Sequence, residues 1–243
     1  MNRQQIRTAV LILSFLLMSV TFMYISPYVM MTGLTSGAIA AALLFWIAAF
    51  LLTPVFGRAF CGYLCPMGAE QELVDRALRI PLRSVPYLRY LKFLLAALWI
   101  GGAVFLAAAA GTLVMNPLYG AGTGLPPWQA GAYLFFYAMT LGVFVIVLVL
   151  GRRGMCNYLC PMSAVFIAIT HLKNTLKIPS LHLESQPGDC ITCKKCTQAC
   201  PMSLPVQEMS AGGKMQEPEC ILCGSCVSVC PKNVIRFAWL WKR

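Results

Sequence analysis

Charge is what this sequence has least of. Only 11% of its 243 residues are Asp, Glu, Lys or Arg, while 59% are hydrophobic. A soluble domain carries about 25% charged residues. Such a chain cannot cover itself with polar surface in water, so it reads as a membrane protein. Acidic residues number eight, and the first is Glu70. Histidine occurs twice, as His171 and His182, both outside the long apolar runs. That excludes a bis-histidine haem inside the membrane. Lysine and arginine are missing from two connecting stretches, Pro27–Ser36 and Met115–Gln129.

What is present fits around those gaps. Apolar runs extend over Thr8 to about Ile25, Gly37 to about Phe56, Leu91 to Val114 and Ala130 to Leu150. Each holds about 20 residues, and at 1.5 Å per residue each crosses a ~30 Å hydrocarbon core. The first follows a short basic leader without a small-residue cleavage site, so it reads as a retained span. All nineteen basic residues lie outside the two empty loops. The positive-inside rule then places both termini in the cytoplasm of a multi-pass protein of the cell membrane. The net charge of +11 is leaflet-facing, and nucleic acid is not an expected partner. Tyr24, Tyr28, Tyr119 and Trp128 form the expected aromatic belt opposite, with turns at Ser26-Pro27 and Thr32-Gly33. Residues 66–90 and 161–179 read as interfacial helices stopped by Pro81 and Pro179. In the first, Leu73, Val74, Ala77 and Leu78 share an apolar face, with Glu72–Arg76 and Asp75–Arg79 pairs on the other. In the second, His171, Lys173 and Lys177 mark the polar side. Ser180–Asp189 reads as a polar linker.

The twelve cysteines carry the chemistry. Eight fall in two runs of C-x2-C-x2-C-x3-C-P, at Cys190, Cys193, Cys196, Cys200 and at Cys220, Cys223, Cys226, Cys230. This is the bacterial two-cluster ferredoxin spacing, in which the fourth cysteine serves the other cluster. Cys190, Cys193, Cys196 and Cys230 are therefore assigned to one [4Fe–4S] cluster. Cys200, Cys220, Cys223 and Cys226 are assigned to the second. A zinc site would use two C-x2-C pairs instead. Reduced thiols also place the segment in the cytoplasm.

The other four cysteines lie in a repeat. Arg58-Ala-Phe-Cys61-Gly-Tyr-Leu-Cys65-Pro-Met-Gly-Ala69 recurs ninety-five residues on as Arg153-Gly-Met-Cys156-Asn-Tyr-Leu-Cys160-Pro-Met-Ser-Ala164. Each copy closes a two-span hairpin, which implies a parallel duplication about an axis along the membrane normal. The expected fold is membrane α-helical, with four transmembrane helices as a duplicated hairpin and a small C-terminal α+β two-cluster ferredoxin domain. The domains are 1–90, 91–179 and 180–243. Proline after the second cysteine places each pair at a helix end. Three readings of these pairs stand: packing as small hydrophobes, a redox-active or metal-relaying dithiol, or four thiolates meeting to hold a further metal or cluster.

With both motifs in hand, the chain resembles the NapH/MauN-type membrane iron–sulfur proteins, quinol-oxidising components of periplasmic systems. It is also similar to the C-terminal half of NosR and to the core of CcoG, which is tied to copper handling. The resemblance implies a membrane electron-transfer subunit of a quinol-linked oxidoreductase. Its expected partners are lipid, quinone or quinol, and another redox subunit or soluble carrier. Tyr24, Tyr28, Tyr63 and Tyr158 are candidates for an interfacial quinone site. The alternative is an assembly or metal-handling factor that reduces a metal ion such as copper, or a client disulfide, with Met23, Met30, Met31 and Met115 as soft ligands. The segment Phe237–Arg243, aromatic and basic, reads as a clamp on the leaflet.

Overall fold

The computed structural model describes residues 2–119 and 130–239, without the side chains at 19, 20, 23 and 130–133. The first apolar run forms α1 (Arg3–Leu16) and α2 (Met18–Ile25). They meet at Leu17, whose N–H still donates to Leu13 O at 2.9 Å. The expected turn at Ser26-Pro27 is instead the start of a helix, α3 (Pro27–Thr35). Ser26 Oγ accepts from the Tyr28 N–H at 3.3 Å, and proline at the first helical position sacrifices no intrahelical hydrogen bond. A two-residue strand β1 (Ala38–Ile39) leads into α4 (Ala41–Phe56), a short helix α5 (Ala59–Tyr63) and α6 (Pro66–Leu78). The second half follows with α7 (Leu88–Ala110), β2 (Val114–Met115) paired parallel to β1, α8 (Ala130–Leu150), α9 (Gly154–Tyr158) and α10 (Pro161–Thr175).

Helix α7 is long and apolar enough to cross a membrane, and only 6% of its apolar window is buried. The core helix of a soluble protein would be mostly buried. α4 and Leu134–Leu150 are apolar but shorter. They share with α7 an apolar outer face on which Leu51, Phe105 and Leu134 are exposed. Among the described residues α7 alone meets the spanning length.

The helices that follow the cysteines cross over. α6 packs against α1 of its own half and α8 of the other, while α10 packs against α7 of its own half and α4 of the other. The two halves interlock about a pseudo-two-fold axis.

The expected amphipathic faces are inverted by this burial. In α6, Glu70, Gln71 and Glu72 are buried while Ala77 and Leu78 are exposed. The carboxylates find cations on other elements, which no local pattern announces. Glu72–Arg76 does form, at 2.9 Å. Asp75 turns to Arg152 at 3.4 Å, and Arg79 ends the helix in a left-handed conformation before Pro81 is reached. In α10, Lys173 is buried rather than facing solvent. Tyr158, expected at an interface, is fully buried and donates to Arg83 O.

The remainder is a ferredoxin-like domain of β3 (His182–Ser185), α11 (Lys195–Gln198), α12 (Val206–Ala211), α13 (Ser225–Val229) and β4 (Ile235–Ala238). The expected linker is thus a strand. β3 pairs antiparallel with β4, His182 opposite Ala238 and Ser185 opposite Ile235, a partner too distant in sequence to be read locally. Trp239 rests edge-on against Phe56 at the end of α4, with ring centroids 5.8 Å apart, a contact in keeping with the clamp reading. Trp128 and residues 240–243 lie outside the described residues.

Candidate metal centres

The two cysteine runs of the ferredoxin domain fold alike. Left-handed residues recur thirty positions apart, Thr192, Lys194 and Ser203 in the first run against Leu222, Gly224 and Asn233 in the second. They wrap each loop around a cavity. One cavity is lined by Cys190, Cys193, Cys196 and Cys230, and a second by Cys200, Cys220, Cys223 and Cys226. Every cysteine is a free thiol. Burial, with Cys223 beside it, pushes the Cys220 thiol up to about 12, so without a metal it holds its proton; ligation releases that proton. Among the described residues no three His, Cys, Asp or Glu side chains converge to hold a single ion. Four thiols around each cavity match the ligand number of a [4Fe–4S] cube.

The four C-x3-C-P cysteines also come together. Cys61 and Cys156 sit within α5 and α9. Cys65 and Cys160 occupy the residue before α6 and α10, in extended conformation, with Pro66 and Pro161 at the first helical position. The span's helix does not continue through the motif, because Gly57 and Gly151 break it at φ 58° and 87°. All four cysteines line one chamber of about 280 Å³. Its other walls are apolar and aromatic, among them Phe22, Trp46, Phe60, Phe135 and Phe166. Methionines 18, 67, 139, 155 and 162 line it too, whereas the expected Met30, Met31 and Met115 do not. Gln71 Nε2 donates to Cys156 Sγ at 3.3 Å. Burial and the neighbouring Cys156 push the Cys160 thiol up to about 12. Tyr28 lines the chamber, but Tyr24, Tyr63 and Tyr158 are not among its lining residues.

Buried charge surrounds this chamber. Arg7, Arg58 and Arg153 are at most 1% exposed. Arg153 Nη1 donates to Cys61 O at 2.8 Å and Nη2 to Glu72 at 2.8 Å. Arg7 bonds Gly62 O at 2.9 Å and also pairs with Glu72. Burial pushes the Glu72 carboxyl up, but Arg153 and Arg7 outweigh it and hold the group at about 2. Arg58 Nη2 donates to Ser163 Oγ at 2.6 Å, and that hydroxyl donates to Cys156 O at 2.9 Å. On its other side Arg58 Nη1 reaches Glu219 O at 3.0 Å. Lys92 Nζ meets Glu219 Oε1 at 2.8 Å. Sequence reasoning passed over these groups. The signal available was that Arg58 and Arg153 open the two copies of the repeat.

The ferredoxin domain docks where these elements meet. Gly62 lies between Cys61 and Cys65, and a Cβ there would collide with Ile221 O and sit 3.6 Å from Cys223 Cα. Gln4 Nε2 donates to Cys223 O at 2.9 Å and Arg3 Nη2 to Gly224 O at 2.7 Å. The cavity of Cys200, Cys220, Cys223 and Cys226 is therefore the one facing the chamber.

Family comparisons agree with this layout. A profile described as a 4Fe-4S dicluster domain matches residues 189–235, and one described as a 4Fe-4S binding domain matches twice, at 38–84 and 133–179. The methylamine utilization ferredoxin-type protein MauN of Methylorubrum extorquens is 28% identical over 72% of this chain. This chain is a member of the ferredoxin-type 4Fe–4S electron-transport family. Two further members are YccM of Escherichia coli, named for electron transport, 29% identical over 75% of the chain, and the nitrogen fixation protein FixG of Rhizobium meliloti, 27% over 65%. The chain spans 52%, 59% and 35% of the lengths of YccM, MauN and FixG. No solved structure matches.

Proposed function

We propose that the protein is a membrane subunit passing electrons between the quinone pool and a partner redox protein. In this reading four spans place the ferredoxin domain on the cytoplasmic side, and the eight ferredoxin cysteines hold two [4Fe–4S] clusters. The observation that carries it is the chamber: apolar, lined by thiols, and abutting the loop of Cys220 and Cys223 at Gly62. Its volume of about 280 Å³ lies at the lower end of the usual 300–1,000 Å³ of a small-molecule site. Phe22, Tyr28 and Phe135, whose rings meet at 5.0–6.2 Å in the chamber wall, would be the surface for a quinol ring. Quinol gives up two electrons and two protons, and each cluster accepts one electron. The protons leave to solvent at the interface. Anaerobic addition of a short-chain quinol to the full chain should bleach the cluster absorbance. Absence of bleaching in protein whose clusters dithionite does reduce would sink the reading.

The five methionines beside four cysteines in the same chamber favour a second reading, in which reducing equivalents act on a soft metal ion. Reduction of Cu(II) by the dithionite-reduced chain, with no response to quinol, would select it.

A further inference from the structure

We infer that the two C-x3-C-P repeats share one further iron–sulfur cluster, held by Cys61, Cys65, Cys156 and Cys160, with Arg58 and Arg153 as its exchanged charge-balancing residues. The 4Fe-4S binding profile matches the chain once per repeat, yet each repeat contributes two cysteines and a cube takes four thiolates. Neither half suffices. The chamber lined by all four thiols resolves the count to one cluster on the pseudo-two-fold axis.

The arginines supply the independent observation. Each opens one repeat and grips the loop of the other. Arg153, from the second half, bonds Cys61 O of the first. Arg58, from the first half, reaches Cys156 O of the second through Ser163. Gly68 is the counterpart of Ser163, and a Cβ there would stand 3.0 Å from Arg153 Nη1, so the guanidinium itself fills the space that Ser163 takes opposite. The Nε of both arginines is buried without a hydrogen-bond partner. The guanidiniums of Arg7 and Arg153 share a single carboxylate, Glu72, while that of Arg58 meets the Ser163 hydroxyl and the Glu219 carbonyl. Buried charge of one sign is costly unless something answers it. A cube bound by four thiolates is anionic in both redox states and answers it here.

The consequence is a third station in line. An electron on this cluster passes to the Cys200–Cys226 cluster across Gly62, and no bond or proton changes in that step. The inference extends the electron-relay reading, but it is tested separately, by metal content rather than by quinol.

Anaerobically purified full chain should hold about twelve iron and twelve sulfide. The variant Cys61→Ser/Cys160→Ser should lose a third of the iron and keep the ferredoxin EPR signals. A single Cys65→Ser change serves if that pair fails to fold. Eight irons in the wild-type chain, whether with zinc, with copper or with four readily alkylated thiols, would overturn the cluster. Arg153→Gln should lower the reduction potential of the extra cluster alone, with Arg153→Lys restoring much of it. Equal potentials in all three proteins would remove the arginines from the proposal.

Discussion

The two halves of the helical portion share one pattern, yet they solve the same electrostatic problem differently. Arg7 is the fifth residue of α1, and Lys92 is the fifth residue of α7. Arg153 and Arg58 occupy equivalent places in the repeat. On one side of the axis Arg7 and Arg153 converge on Glu72 of α6. On the other side the position equivalent to Glu72 is Ile167, and Lys92 and Arg58 turn to Glu219 of the ferredoxin domain. One half carries its own counter-ion, and the other receives it from the domain that docks there. A duplicated scaffold thereby acquires a socket on one flank only.

Removing the internal counter-ion should do the most damage. Glu72→Gln leaves Arg7 and Arg153 buried without a carboxylate, a loss on the order of 3–5 kcal/mol, measurable as a fall in the detergent-solubilised melting temperature. Because the folded pKa is depressed to about 2, from about 4.3 unfolded, this contribution is fully present above about pH 4.5. It is lost as pH falls through 2. The gap between wild type and variant should therefore hold from pH 8 to 5 and close below 4. A gap that widens on acidification would refute the assignment of Glu72.

Glu219→Gln should cost less, about 2 kcal/mol, and act on docking rather than on the bundle. Limited proteolysis should release the C-terminal domain faster while the melting of the helices stays unchanged. Loss of both together would show that the socket and the bundle are one unit, and would blur the comparison.

The smallest effect is expected at Glu70, whose counterpart is the apolar Val165. Burial raises its carboxyl to about 7, and Oε2 has no partner. A raised carboxyl pKa penalises the fold increasingly as pH climbs from about 4.3 through 7. Glu70→Gln should thus stabilise by about 1 kcal/mol at pH 8, discounted for partial exposure, and by nothing at pH 4. Chemical denaturation at the two pH values checks it.

The grouping of the ferredoxin cysteines is readable from their spacing, because ligand spacing is imposed by the cluster and not by the rest of the fold. The repeat was legible for the same reason. The helical faces were not. Gln71 and Glu72 look like solvent-facing residues until Cys156, Arg7 and Arg153 arrive from other elements. His182–Ser185 looks like a linker until Ile235–Ala238 pairs with it. The turn at Pro27 was misread because Ser-Pro starts helices and turns alike. What local pattern cannot reveal in this chain is the pairing of buried charges across the pseudo-axis.

Gly62 has a counterpart, Asn157. The glycine leaves room for the backbone of Ile221, while Asn157 is buried with its side chain donating to Arg153 O at 3.0 Å. A two-fold body offers two equivalent doors, and here one stands open and the other is shut. At that pair of residues the duplicated scaffold admits the backbone of the ferredoxin domain on one flank.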